Sequence, residues 1–136
     1  MSNAIEELLP HRPPMRWIDA LAECTDTTAV ATVSFADDSL AVAGGWVLET
    51  ALVECVAQTV AAAMGHRARA RGKSGLPISG MLTSVSDFRI LARAPAGRLL
   101  RIEVRELRRL GMMMMISGIV SCEGQTVASG ELTLYA

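Results

Sequence analysis

From Ser39 to Gly65 the chain is apolar around almost the whole of a helical projection, through Val47, Leu48, Ala51, Leu52, Val53, Cys55, Val56, Ala57, Val60 and a run of alanines. A helix that is hydrophobic on every side is a buried helix. The pattern predicts one running to about Arg71. Thr50, Glu54 and Gln58 interrupt it at intervals of four residues, which places them on a single stripe. A carboxylate on a buried helix is costly unless it is paired, hydrogen-bonded or chemically used. Glu54 is therefore the first candidate for function.

The pattern elsewhere is different. Ile5 to Leu9 predicts one helical turn stopped by Pro10, and Pro13-Pro14 then forces an extended backbone. Met15 to Cys24 predicts a strand. Thr27 to Phe35 predicts a second, with Ala29, Ala31, Val33 and Phe35 on one side. Ala36 to Gly45 reads as a loop closed by Gly44-Gly45, and Gly72 to Gly80 as another loop after the helix. Period-two alternation then predicts strands over Met81–Leu91, Leu99–Arg109, Met112–Cys122 and Gln125–Tyr135, with turns at Gly111 and Glu123-Gly124. One apolar helix followed by an antiparallel meander is an α+β arrangement in which a curved sheet wraps the helix. The alanines at 57, 61, 62 and 63 let strands approach it closely. Residues 1–136 form a single domain, without internal repeats.

Composition sharpens this picture in three ways. Apolar residues make up 51% and charged ones 20%, an excess that favours a surface buried against a partner chain. The net charge of −1 offers no electrostatic footprint for nucleic acid. The one basic run, His66 to Lys73, fits a solvated helix end that complements the helix dipole, or else a docking patch for an acidic partner. The two glutamates and the Gly-Gly pair argue against a membrane span over 39–65. Cys24, Cys55 and Cys122 show no metal-ligand spacing and read as buried thiols of a reducing compartment. Met1-Ser2-Asn3-Ala4 lacks the features of a secretory leader, so a cytoplasmic location is expected. Neither a metal nor another cofactor is expected. Met112 to Met115 lie in a strand that sends two of them to each face, as plastic core filling, as the wall of an apolar tunnel, or as a subunit interface.

Two segments resemble a known family. Leu9-Pro10-His11-Arg12-Pro13-Pro14-Met15, followed by Ile18-Asp19, resembles the L-P-H-R-x-P opening of bacterial 3-hydroxyacyl-(acyl carrier protein) dehydratases. Glu54-Cys55-Val56-Ala57-Gln58 resembles their helix motif E-x-x-A-Q. Nearly the whole chain is covered, and the small dehydratase-like proteins of aryl-polyene clusters are the most similar group. The resemblance implies a dimeric hot-dog fold with sites between two chains. There a helix carboxylate and a histidine remove the α-proton of a 3-hydroxyacyl thioester and protonate the departing hydroxyl. It further implies an acyl thioester partner carried by acyl carrier protein or coenzyme A, and a homodimer or a hot-dog heterodimer.

The sequence departs from the family at the histidine. That residue stands about fourteen positions before the carboxylate in a G-H-F-P-G motif, and here the position is Leu40. The family's glycine five residues before the carboxylate is Glu49. His66 lies three turns beyond Glu54, roughly 18 Å along the helix axis by the rise per residue. His11 either ties the N-terminal segment to the sheet or stands at the pocket mouth. Arg12 is expected to pair with a buried carboxylate or carbonyl. Glu54 is either a catalytic or pocket-lining group or the member of a structural hydrogen bond with Gln58 in its stripe. The expected catalytic residues are Glu54 and His11, with Thr50, Gln58, Met113 and Met115 expected to contact substrate. Three functions follow: a dehydratase acting on acyl thioesters, a thioesterase using Glu54 to attack the thioester or activate water, and a degenerate acyl-binding subunit of a hot-dog heterodimer.

Overall fold

A computed structural model of the protein describes residues 4–72 and 81–135. A short helix α1 (Ile5–Leu8) precedes strands β1 (Ala20–Cys24) and β2 (Thr28–Val33). A two-residue ladder, β3 (Val42–Ala43) with β4 (Trp46–Val47), leads into the long helix α2 (Glu49–Ala70). Strands β5 (Met81–Ile90), β6 (Leu100–Leu110), β7 (Met113–Cys122) and β8 (Gln125–Tyr135) complete the chain. Six strands form one antiparallel sheet in the order β1-β2-β6-β7-β8-β5. α2 lies against its concave face, the helix-and-wrapping-sheet arrangement of the hot-dog fold.

The alternation read from the sequence explains this burial. Ala29, Ala31, Val33 and Phe35 are all buried, and across β6 they meet Val104, Ile102 and Leu100 from the same face. On β7 the helix-facing positions are Met114, Ile116, Gly118 and Val120. Gly118 lies so close to α2 that a Cβ there would stand 2.5 Å from a Val56 methyl. Gly65 similarly admits the backbone of Leu8, where a Cβ would meet its carbonyl oxygen at 2.2 Å.

Two local expectations change. The segment after Met15 is not a strand until Ala20, because the Trp17 and Ile18 amides bond to the Gln58 side chain instead of a neighbouring strand. The loop expected over Ala36–Gly45 contains β3, since Gly44 and Gly45, at φ +60° and +84°, close a tight hairpin onto β4. Of the loop expected over Gly72–Gly80, residues 73–80 lie outside the described residues.

Candidate active site

The N-terminal half of α2 carries Thr50, Glu54 and Gln58 up one stripe towards the segment 11–18, which crosses the helix. Gln58 joins the two. Its side-chain oxygen accepts the Trp17 amide at 2.8 Å and the Ile18 amide at 3.5 Å, while its amide nitrogen donates to the Met15 carbonyl at 2.9 Å. The same nitrogen donates to Glu54 Oε1 at 3.3 Å. One buried amide thus holds both the crossing segment and the carboxylate one turn away.

The crossing segment brings His11 over the helix. Its Nε2 stands 3.5 Å from Glu54 Oε1. Arg12 folds back, donating to the Leu9 and His11 carbonyls at 2.8 and 2.9 Å, the carbonyl role expected of it. The Trp17 indole meets the Phe35 ring edge-on at 5.8 Å, which anchors the segment to the sheet side.

His11 and Glu54 open onto a groove of about 550 Å³, whose walls also include Met15, Trp17, Leu40, Leu48 and Thr50. The lining is mostly apolar, with one imidazole–carboxylate pair and a threonine at its base. A site of this kind suits an acyl chain next to a proton-transfer centre. Leu40, at the position where the family carries its histidine, is a wall of this same groove. The imidazole reaches it from His11 instead.

The remaining expected residues are distributed differently. Thr50 lines the groove, but Gln58 does not: it is fully buried and its amide is committed to the backbone and Glu54, so it positions the site and cannot touch substrate. Met113 and Met115 also fall outside it. They point from β7 to the convex face of the sheet, away from α2, because the buried partner in that alternation is Met114. Trp17 and Leu48 line the groove and were not singled out in the sequence, where isolated apolar residues carry no signal of a pocket. His66 lies by the β1–β2 turn with Cys24 and Arg67, remote from Glu54.

Burial pushes the Cys55 thiol far above its ordinary range, helped by the neighbouring Glu54 and Asp19 charges. Cys55 is fully buried behind Glu54, so it is no nucleophile here. Among the described residues no three His, Cys, Asp or Glu side chains could share a metal ion. Likewise, none of the described helices is long and apolar enough to cross a membrane.

A family model described as ApeP-like, ApeP dehydratase, matches residues 3–136. The chain belongs to that family. The family read from the Leu9–Met15 and Glu54–Gln58 motifs is therefore the right one. No curated protein matches the sequence. Among solved structures, this ApeP-like chain resembles one from the dehydratase heterocomplex ApeI:P of Xenorhabdus doucetiae, with a TM-score of 0.90 at 21% identity over 99% of this chain and 91% of that one. A hypothetical thioesterase of Streptococcus pneumoniae with coenzyme A matches at a TM-score of 0.67 and 14% identity over 85% of this chain and 86% of that one. A Streptococcus mutans protein bound to acetyl coenzyme A matches at 0.66 and 14% identity over 92% and 94%. At these identities the likeness establishes the hot-dog fold.

Proposed function

We propose that this ApeP-like chain dehydrates 3-hydroxyacyl thioesters, and that His11 and Glu54 of the same chain are its acid–base pair. The observation that carries this reading is the 3.5 Å approach of His11 Nε2 to Glu54 Oε1 at the wall of an apolar groove. Glu54 takes the α-proton of the bound thioester. The released electron pair forms the C2–C3 double bond as the C3–O bond breaks, and protonated His11 delivers its proton to the hydroxyl, which leaves as water. The proton on Glu54 then returns to His11 across their contact, and the pair is reset. Negative charge grows on the thioester oxygen as the α-proton leaves, and it needs a donor. The Thr50 amide, in the first turn of α2, has no acceptor among the described residues, and Thr50 lines the groove. It supplies that donor.

The thioester is carried by acyl carrier protein or coenzyme A, and a second hot-dog chain completes the assembly. Strand β5 supports the latter. It is an edge strand, and Val85 and Ile90 remain 44% and 40% exposed although their cross-strand partners Leu132 and Ala128 are buried. Their helix-side apolar face is left for another chain to cover. The homodimer and the heterodimer both satisfy this edge.

The decisive experiment follows enoyl thioester formation from a 3-hydroxyacyl thioester by the pure protein, beside Glu54→Gln and His11→Asn. Turnover in the parent and its loss in both folded variants support the pair. Turnover that survives His11→Asn overturns it. Free thiol released without enoyl product establishes the thioesterase reading, and activity only after addition of a second hot-dog chain establishes the heterodimer.

A further inference from the structure

Two grips hold the segment that carries His11, and Gln58 is only one of them. The other is on α1. Glu6 Oε1 accepts a hydrogen bond from Arg16 Nη1 at 3.2 Å, and Glu6 Oε2 stands 4.0 Å from Arg12 Nε. One carboxylate therefore meets both arginines of the segment, on either side of Pro13-Pro14, with one oxygen for each. Arg12 passes the restraint to His11 itself, since its Nη1 donates to the His11 carbonyl at 2.9 Å. Arg16 also reaches towards the sheet, with Nη2 3.9 Å from Asp19 Oδ1, and Asp19 Oδ2 accepts the Ser34 amide at 2.9 Å.

α1 is a fixed point from which to do this. Leu8 and Leu9 are fully buried, Gly65 lets the Leu8 backbone rest on α2, and Glu7 Oε2 lies 3.2 Å from Arg69 Nη2. The segment is stiff as well, because Pro10, Pro13 and Pro14 each lock φ. The imidazole, by contrast, has little support of its own. His11 Nδ1 is buried without a partner among the described residues, so the ring's one polar contact there is Glu54. Its place over α2 is therefore set by its backbone. Arg16 Nε is likewise buried without an acceptor among the described residues, an arrangement that a purely stabilising role does not favour. Ion pairs as exposed as those of Glu6 add little to stability. Their effect is geometric: none of Glu6, Arg12 and Arg16 lines the groove, yet together they fix the chain next to His11.

We propose that Glu6 is a positioning residue of the His11–Glu54 pair, acting through Arg12 and Arg16. This role rests on the acid–base reading of that pair. Without the Glu6 carboxylate the segment is tied by Gln58 at residues 15–18 but is free to drift at His11, while the groove keeps its walls. A misplacement of about 1 Å can cost a positioned catalytic group about a hundredfold in rate. The loss falls on the chemical step, because Glu6 is not among the residues that line the groove.

The test compares Glu6→Gln with Glu7→Gln in the full chain. Each removes one carboxylate from α1, but only Glu6 contacts the arginines of the segment. In Glu6→Gln, kcat for enoyl formation is expected to fall about tenfold, with KM and melting temperature close to those of the parent. In Glu7→Gln, kcat should stay at the parent value. Arg16→Met should repeat the loss seen in Glu6→Gln and guards against a folding defect peculiar to Glu6. Parent kcat in both Glu6→Gln and Arg16→Met overturns the role. An equal loss in Glu6→Gln and Glu7→Gln also overturns it, by assigning the effect to the docking of α1. A second readout needs no turnover. The His11 ring signals in NMR spectra of the isotope-labelled chain should shift on Glu54→Gln, and shift less when Glu6→Gln is also present. An undiminished shift overturns the positioning, whereas a parent that forms no enoyl product overturns the acid–base reading and leaves the spectra to decide the geometry.

Discussion

Gln58 donates to Glu54 across one helical turn at 3.3 Å while its oxygen binds the Trp17 amide at 2.8 Å. A single side chain therefore sets both halves of the site, the helix carboxylate and the segment that carries His11. Gln58→Leu keeps the volume and leaves the Trp17 amide and Met15 carbonyl without partners. A buried unsatisfied group costs about 1–3 kcal/mol, so loss of about 2–4 kcal/mol is expected from denaturant unfolding. The folded fraction should also lose dehydratase rate at saturating substrate, because His11 is no longer held over Glu54. Unchanged kcat in the folded variant would make the amide a fold anchor alone.

Glu54 and His11 behave differently from Gln58. Their side chains are 39% and 32% exposed, so removing either partner alters stability by about 1 kcal/mol or less. The rate, by contrast, should fall by about a hundredfold to ten-thousandfold in Glu54→Gln or His11→Asn, the usual contribution of a positioned acid or base. The double variant should be no slower than the slower single one, since the two act as one unit. Additive losses would separate them.

Gly118 faces Val56 where sheet and helix touch, and the contact sets how deeply α2 sits. Gly118→Ala would bring its methyl to 2.5 and 2.9 Å from the two Val56 methyls, and Val56 is fully buried. Overpacking of this kind costs about 1–3 kcal/mol. Val56→Ala in the same chain should recover part of the loss, a coupling that thermal unfolding of the double-mutant cycle measures.

The pH dependence of stability follows from Cys55. Its thiol stays protonated in the folded chain well above the ordinary value of 9.0, with burial as the main cause. The unfolded thiol ionises there, so above pH 9 the unfolded state binds fewer protons than the folded one and stability falls as pH rises. The slope approaches about 1.4 kcal/mol per pH unit for one such group. Cys24 and Cys122, also raised chiefly by burial, act in the same direction. Melting temperatures between pH 8 and 10 should decline less steeply in Cys55→Ala, and an equal decline would assign the effect to other groups.

Much of the fold was legible in the one-dimensional pattern. The existence of α2 came from a nearly all-round apolar helix, and the three C-terminal strands from alternation, because both periodicities record which face meets the core. Glu54 stood out for the same reason, as a charge that a buried helix does not tolerate without cause. The approach of His11 to Glu54 was only half legible. The two shared motifs named both residues, but their separation in sequence did not bring them together. The crossing of segment 11–18 over the helix does, placing His11 Nε2 3.5 Å from Glu54 Oε1. Gln58 lies on the Glu54 stripe in sequence, yet its role is set by backbone amides forty residues away, a separation that no local pattern encodes. Met113 and Met115 show the converse. Alternation put them on one face together, but which face looked at α2 depended on how the sheet curls around the helix, and that is a property of the packed molecule alone.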